Sequence, residues 1–259
     1  MVDPVFNPSH LSQRRKRLPL LAIFLLAACS AEPQQRTLMG ELGADLGASF
    51  GTPENLLILG GGLAAGMLLD SSTGGDAEDR TASFFDNNDV IPDSFGHQLD
   101  TLGSGLFLLG ASSAWYGGAR YWGNKRDEEA SLAMLSALSI TGVTTLGLKS
   151  IFNDGRPNDA PGGYPSGHSS MAMAAAATLG ESYGWEVGLP AYLAAVAVGV
   201  QRLDSRKHDL DDIVGGFALG YVIGSSVAGR RLLRILGAEL TPIIDPIGGE
   251  LGLVMVWDF

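Results

Sequence analysis

Apolar positions along this chain fall in long blocks with helical spacing, separated by short polar or glycine-containing breaks. Leu38 to Phe50 predicts a first helix. Thr52-Pro53-Glu54 is a helix start, with a hydroxyl cap, a proline in the first turn and an acid, and its pattern runs to about Leu69. Residues 71–93 are polar and irregular and predict a loop, with Gly74-Gly75 and Pro92 inside it. Asp86-Asn87-Asn88-Asp89 has some likeness to a calcium loop, but it lacks the glycine and the distal glutamate and reads as solvated. Ser94 to about Trp122 is helical in pattern with a break at Gly117-Gly118, and Asn124 to Arg126 is a turn. Glu128 to Lys149, Ser166 to Tyr183, Pro190 to Arg202 and Asp209 to about Leu236 complete six or seven helices. Glu239 to Ile244 and Glu250 to Asp258 alternate around Asp245-Pro246-Ile247-Gly248-Gly249, which is a hairpin signal. The expected fold class is all-α, a helical bundle over residues 38–236 with a short C-terminal β-hairpin over 237–259.

None of the helical blocks holds 18 strictly apolar residues, because Gly, Ser and Thr dilute them, and this disfavours an integral membrane bundle. Trp115, Tyr116, Tyr121 and Trp122 are expected to pack as an aromatic cluster. The 36 glycines, with abundant alanine, suit helices that pack closely.

The first 28 residues read as a leader. Arg14-Arg15-Lys16-Arg17 is a basic n-region, and Leu18 to Ala28 is an apolar run too short to span a bilayer. It ends Leu26-Ala27-Ala28-Cys29, which resembles a bacterial lipobox, so Cys29 is the expected lipidation site. Cys29 is the only cysteine, so no intramolecular disulfide forms. Ser30 after it favours outer-membrane sorting by resemblance to known lipoproteins, and residues 29–37 read as a tether. Removing residues 1–28 leaves 13 cations against 27 acids, a net of about −14. Such a surface excludes nonspecific nucleic-acid binding and makes any local group of cations conspicuous.

Three clusters supply that group. Lys149 is followed after six residues by Arg156-Pro157; Pro165-Ser166-Gly167-His168 comes next; Arg202 is followed after five residues by His208 and then, four on, by Asp212. Arg156 and Arg202 can grip phosphate oxygens bidentately, and Lys149 adds a compact third charge. Ser166-Gly167 opens a helix, whose first amides and dipole form an anion site. On a helix His208 and Asp212 would share a face, so Asp212 can accept from His208 Nδ1 and leave Nε2 free to attack phosphorus. His168 can protonate a leaving oxygen. The set contains no metal-ligand constellation. Each residue alone has an ordinary structural explanation, and the ordered combination reverses that weighting. Gly142-x4-Gly147-Leu148-Lys149-Ser150 nearly matches a phosphate loop but has one residue too many and no preceding strand. Asp204, Asp209 and Asp211 surround the third cluster, either screening it or solvating its loop, and His97 has no assigned role.

These ten residues, in this order and spacing, resemble the type 2 phosphatidic acid phosphatase (PAP2) superfamily, which includes bacterial class A acid phosphatases and vanadium haloperoxidases. Gly163 to His168 is especially similar to the acid-phosphatase version, while Gln201 stands where the family usually has serine. The resemblance implies an all-helical PAP2-type fold. It also implies His208 as the nucleophile of a phosphohistidine intermediate and His168 as general acid and then base. Lys149, Arg156, Ser166, Gly167 and Arg202 would bind the phosphate. The function expected is a metal-independent phosphatase without cofactor, acting on a phosphorylated small molecule or a lipid (di)phosphate from the periplasmic side of a bacterial membrane. The N-terminal lipid would be its anchor and vanadate its inhibitor. The alternatives are a haloperoxidase with vanadate as cofactor, a non-catalytic lipoprotein that binds a phosphoryl ligand, and an integral six-helix lipid phosphatase.

Overall fold

The computed structural model describes residues 38–69, 76–152, 155–157, 160–235, 238–244 and 251–257. The leader, the tether and Cys29 lie outside the described residues. Among the described residues nine helices follow one another: α1 (Leu38–Phe50), α2 (Pro53–Leu69), α3 (Asp76–Asp86), α4 (Asp93–Gly103), α5 (Gly105–Trp122), α6 (Lys125–Phe152), α7 (Gly167–Tyr183), α8 (Trp185–Asp204) and α9 (Leu210–Ile235). Two antiparallel strands, β1 (Ala238–Ile244) and β2 (Leu251–Trp257), follow α9, with Ala238 opposite Trp257.

α1 and α2 occupy the segments their patterns predict, and Asn55 N–H donates to the Thr52 hydroxyl at 3.3 Å, as the capping signal requires. Two expectations are corrected. The segment expected as a loop contains α3, which starts on Asp76, Glu78 and Asp79; acids in a first turn favour the helix dipole. Asn87 and Asn88, half of the calcium-like stretch, instead close α3 by donating their amides to the Ser83 and Phe84 carbonyls. The expected break at Gly117-Gly118 is absent. α5 runs through it, and the chain breaks at Ser104, whose extended backbone separates α4 from α5. The two places differ in packing: a Cβ on Gly103 would stand 2.6 Å from Val198 Cγ1 and 3.1 Å from His168, both in other helices, whereas Gly117 meets nothing within 4 Å and Gly118 meets only Trp122 of its own helix.

α7 lies at the centre, against α6, α8 and α9. Its contact with α9 runs along Gly216, Gly220 and Gly224, spaced by four on one face of α9. A Cβ on Gly216 would sit 2.8 Å from Ser166 O, on Gly220 2.2 Å from Ser170 O, and on Gly224 2.4 Å from Ala174 O. Helix backbone therefore meets helix backbone, which only glycine permits. At the other end of the bundle the fully buried Asp45 of α1 accepts from Ser136 of α6 at 2.6 Å, Arg230 Nε of α9 at 2.7 Å and Arg231 of α9 at 2.8 Å. Three helices are thus tied by one satisfied carboxylate.

Besides an apolar core, α6 and α8 carry apolar residues on their exposed faces and bury several small polar ones. α6 buries Ser131, Ser136, Thr141 and Thr145 and exposes Val143, Leu146 and Ile151. α8 buries Gly188, Ala195, Gly199, Gln201 and Arg202 and exposes Trp185, Leu189, Leu193 and Val196. Ser131, Ser136, Thr141, Thr145, Gly188 and Gly199, which dilute these blocks in the sequence, face inward, so counting them as polar understates the outer face. Lys125–Phe152 and Leu210–Arg231 are long and apolar enough to cross a membrane, and α1 from Gly40 with α2 qualifies as a pair bent by 66°. These apolar helices point to membrane association. The aromatic expectation divides: Trp115 packs inside against Tyr183, while Tyr121 and Trp122 stack edge to face and stand 84% and 77% exposed.

Candidate active site

The C-terminal end of α6, the N-termini of α7 and α9, and the C-terminal end of α8 meet at one end of the bundle, and all three clusters come with them. Their local structure explains the spacings. Arg202 closes α8, and its carbonyl accepts the amides of Lys207 at 3.1 Å and His208 at 3.3 Å. The turn between them passes through Arg206 in the left-handed region, φ 51°. His208 therefore sits in the turn before α9 and not on a shared helix face, as its spacing from Asp212 had suggested. The pair forms all the same: Asp212 Oδ2 lies 2.7 Å from His208 Nδ1 and accepts the Asp209 amide at 3.3 Å. Asp212 reaches back from the first turn of α9, as the acid of a capping box does. Both side chains are buried, and among the described residues the other oxygen, Oδ1, has no hydrogen-bond partner.

Asp212 also fixes the second cluster, because its carbonyl accepts the Ser166 amide at 2.9 Å. Ser166 is the N-cap of α7: its Oγ accepts from the Ser169 amide at 3.4 Å and the Ser169 hydroxyl at 3.0 Å. Ser166 is fully buried, so the structure makes it a capping residue whose amide is already engaged. The helix-end donors that follow are the amides of Gly167 and His168. The third cluster thus holds the second through the backbone, with the α7–α9 glycine stripe directly behind them.

Lys149, in the last turn of α6, donates from Nζ to the carbonyls of Gly162 and Gly163, the latter at 2.6 Å. Arg156 donates from Nε to Gly162 O at 3.3 Å, and its amide donates to Ala160 O at 3.0 Å. Both cations therefore converge on the Gly162 carbonyl and hold the backbone just before the second cluster. Lys149 follows a helix and not a strand, which disposes of the phosphate-loop likeness.

The pKa of His208 is held down mainly by burial. Asp212 opposes the shift, and the charges of Lys149 and Arg156 add to it. His168 is lowered to about 4, first by burial and then by Arg202, with Asp100 opposing and His208 and Lys207 contributing. These mutual influences mean that both imidazoles, Lys149, Arg156 and Arg202 share one electrostatic environment. A dianion placed there would be stabilised by three cations at little cost in reorganisation.

The sequence reading missed Asp100 on α4. Its Oδ1 accepts from Arg202 and lies 3.2 Å from His168 Nε2, and its Oδ2 lies 3.7 Å from Lys207 Nζ. Its own pKa is pushed up by burial, but Arg202, Lys207 and His168 outweigh this and hold it below the usual carboxylate range. Gln201, noted only as a departure from the family pattern, accepts through Oε1 from Arg202 Nε at 2.7 Å. Of the acids around the third cluster, Asp204 accepts the Val90 amide at 2.9 Å and so anchors the segment before α4.

Replacing Asp212 with Asn tests the pairing. An amide can donate to Nδ1 and so favour the wrong His208 tautomer. Turnover of an aryl phosphate is expected to fall by roughly 10³-fold or more with little change in KM. Steady-state kinetics on folded Asp212→Asn would check this.

Known proteins resemble this chain in sequence family and in fold. Residues 130–231 match the family model described as PAP2 superfamily. No curated protein matches the chain. Among solved structures, a transmembrane PAP2-type phosphatidylglycerolphosphate phosphatase from Bacillus subtilis is similar in fold, with a TM-score of 0.53 and 19% identity. The match covers 67% of this chain and 95% of that one. The matched segment, from the second turn of α6 to the last turns of α9, carries all eight residues expected to act in catalysis and phosphate binding.

Proposed function

We propose that this chain is a membrane-embedded, metal-independent phosphatase that hydrolyses a phosphomonoester, or the terminal phosphate of a lipid diphosphate, through phosphohistidine at His208. The observation that carries the reading is the buried His208–Asp212 pair beside Lys149 and Arg156. A histidine with Nδ1 held by a carboxylate presents the Nε2 lone pair, and the neighbouring cations suit phosphate and not a proton. His208 Nε2 attacks phosphorus, the bond to the leaving oxygen breaks, and His168 gives that oxygen its proton. Water then attacks the phosphohistidine while His168 takes a proton back, and inorganic phosphate leaves. Arg156, Arg202, Lys149 and the amides of Gly167 and His168 stabilise the charge in both steps.

The match of residues 130–231 to the PAP2 superfamily model supports phosphatase-type activity in general. The apolar outer faces support a substrate presented from the bilayer, and the similar Bacillus subtilis enzyme makes a lipid phosphomonoester the first choice. The expected export leader supports a site facing away from the cytoplasm. A lipid anchor at Cys29 would be an additional tether to the same membrane, not the sole one.

The test is turnover by the full chain, purified in detergent with a chelator. Substrates are an aryl phosphate and phosphatidylglycerolphosphate in mixed micelles, and the aryl phosphate is also supplied to intact spheroplasts. Chelator-resistant, vanadate-inhibited hydrolysis, visible outside spheroplasts, is expected. Activity that requires an added divalent metal would overturn the mechanism. Peroxide-dependent bromination with vanadate in place of hydrolysis would transfer the site to the haloperoxidase reading.

A further inference from the structure

α4 lies outside the matched segment, yet one of its faces covers the site. Gly96, Asp100 and Gly103 are spaced by four and three, so they line one stripe of the helix. A Cβ on Gly96 would stand 3.8 Å from Gln201 Nε2, and one on Gly103 would stand 3.1 Å from His168 Cβ and Cδ2. Asp100, between them, bonds Arg202 and contacts His168 Nε2 at 3.2 Å. The two glycines bring the helix backbone down onto Gln201 and His168, and the carboxylate is placed where both can be held. Arg202 is consequently gripped from two sides, by Gln201 Oε1 and by Asp100 Oδ1.

We infer that Asp100 is a positioning residue: it holds the His168 ring through Nε2–H and, together with Gln201, fixes the Arg202 guanidinium. This rests on the phosphatase reading above. The contact has a definite consequence for proton traffic. When His168 is protonated, both nitrogens carry hydrogen; Nε2–H stays on Asp100, and Nδ1–H goes to the leaving oxygen. The neutral ring keeps Nε2–H, so Nδ1 carries the lone pair that accepts a proton from attacking water. The ring need not turn between the two steps, and Asp100 itself neither gains nor loses a proton.

Charge works in the same direction. The groups facing His168 are Asp100 from α4, Arg202 from α8, and Lys207 and His208 from the turn after α8. Arg202, Lys207 and His208 disfavour the imidazolium, and Asp100 is the one group that favours it. Removing its charge must lower the His168 pKa, so that the protonated acid persists only at lower pH.

The experiment compares wild type, Asp100→Asn and Asp100→Ala as full chains in detergent. The His168 ring is titrated by NMR of ¹³C-histidine-labelled protein, with His168→Gln used for assignment, and kinetics with an aryl phosphate are measured in parallel. Asp100→Asn is nearly isosteric and keeps an acceptor for Nε2–H. It is expected to move the His168 titration, and the alkaline limb of kcat/KM, down by about one pH unit. KM should stay within about threefold. Asp100→Ala also frees the ring and should lower kcat by about 10- to 100-fold. An unmoved His168 titration in Asp100→Asn would overturn the inference. So would a several-fold fall in KM with kcat intact in either variant, because Asp100 would then only compete with substrate phosphate for Arg202. The NMR comparison does not need turnover, so a wild-type chain without phosphatase activity would sink the functional reading while leaving this test valid.

Discussion

His208→Ala is expected to abolish turnover, lowering kcat by about 10⁴-fold or more while KM for an aryl phosphate changes little. His208 supplies the imidazole paired with the buried Asp212 carboxylate, and its Nε2 is the atom that must bond to phosphorus. No neighbour can take its place. His168 is engaged by Asp100, and Lys149 by the Gly162 and Gly163 carbonyls. The substitution leaves Asp212 buried without its imidazole, so some loss of stability accompanies it, and circular dichroism must show a folded protein before rates are compared. A second readout separates nucleophile from acid. Wild-type protein given ³²P-labelled substrate and quenched in alkaline detergent should retain label in an acid-labile, base-stable linkage, and His208→Ala should retain none. If His208→Ala still turned over substrate within tenfold of wild type, the covalent mechanism would fall.

Gly220→Ala should damage both stability and turnover, from a position with no chemistry. Its new Cβ would lie 2.2 Å from Ser170 O and 2.8 Å from Ala174 N, both backbone atoms of α7. No rotamer change relieves a clash with backbone, so the helices must separate, at a cost of about 3 kcal/mol or more. The separation also reaches the site. α7 carries Gly167 and His168, and α9 carries Asp212, whose carbonyl holds the Ser166 amide at 2.9 Å. Moving one helix from the other by even about 1 Å is enough to misalign nucleophile and acid by roughly 10²-fold in rate. Gly229→Ala is the control, since a Cβ there meets nothing within 4 Å. It should be neutral or stabilising by up to about 1 kcal/mol through helix propensity. Thermal unfolding in detergent, followed by circular dichroism and paired with aryl phosphate turnover, distinguishes the two. Equal melting temperatures for the two variants would show that the helix contact is looser than the distances say.

Much of the candidate site was legible before any coordinates. Lys149, Arg156, Gly167, His168, Arg202, His208 and Asp212 are charged, titratable or anion-binding residues in an ordered set of short spacings, and such spacings survive because each is closed locally. The Arg202 carbonyl captures the His208 amide, and Asp212 captures the Asp209 amide. Asp100 was not legible for the opposite reason. It stands 68 residues before His168 and 102 before Arg202, and one aspartate in an acidic chain carries no signal of its own. The Gly96-Asp100-Gly103 spacing was present, but it gains meaning only when α4 is seen to lie on Gln201 and His168. The Gly216-Gly220-Gly224 stripe falls between these cases: its period is plain, while its partner helix is not.

From the sequence alone came the all-helical class, the approximate limits of most helices and the chemistry of an oxyanion site, since helical periodicity, capping residues and short-range motifs are local properties of the chain. Tertiary structure decided which way each helix faces, and so whether serine and threonine dilute a hydrophobic surface or line a hidden one. It also decided which carboxylate reaches the site. Those questions depend on contacts between residues far apart in the chain, which a reading of neighbours along it does not contain.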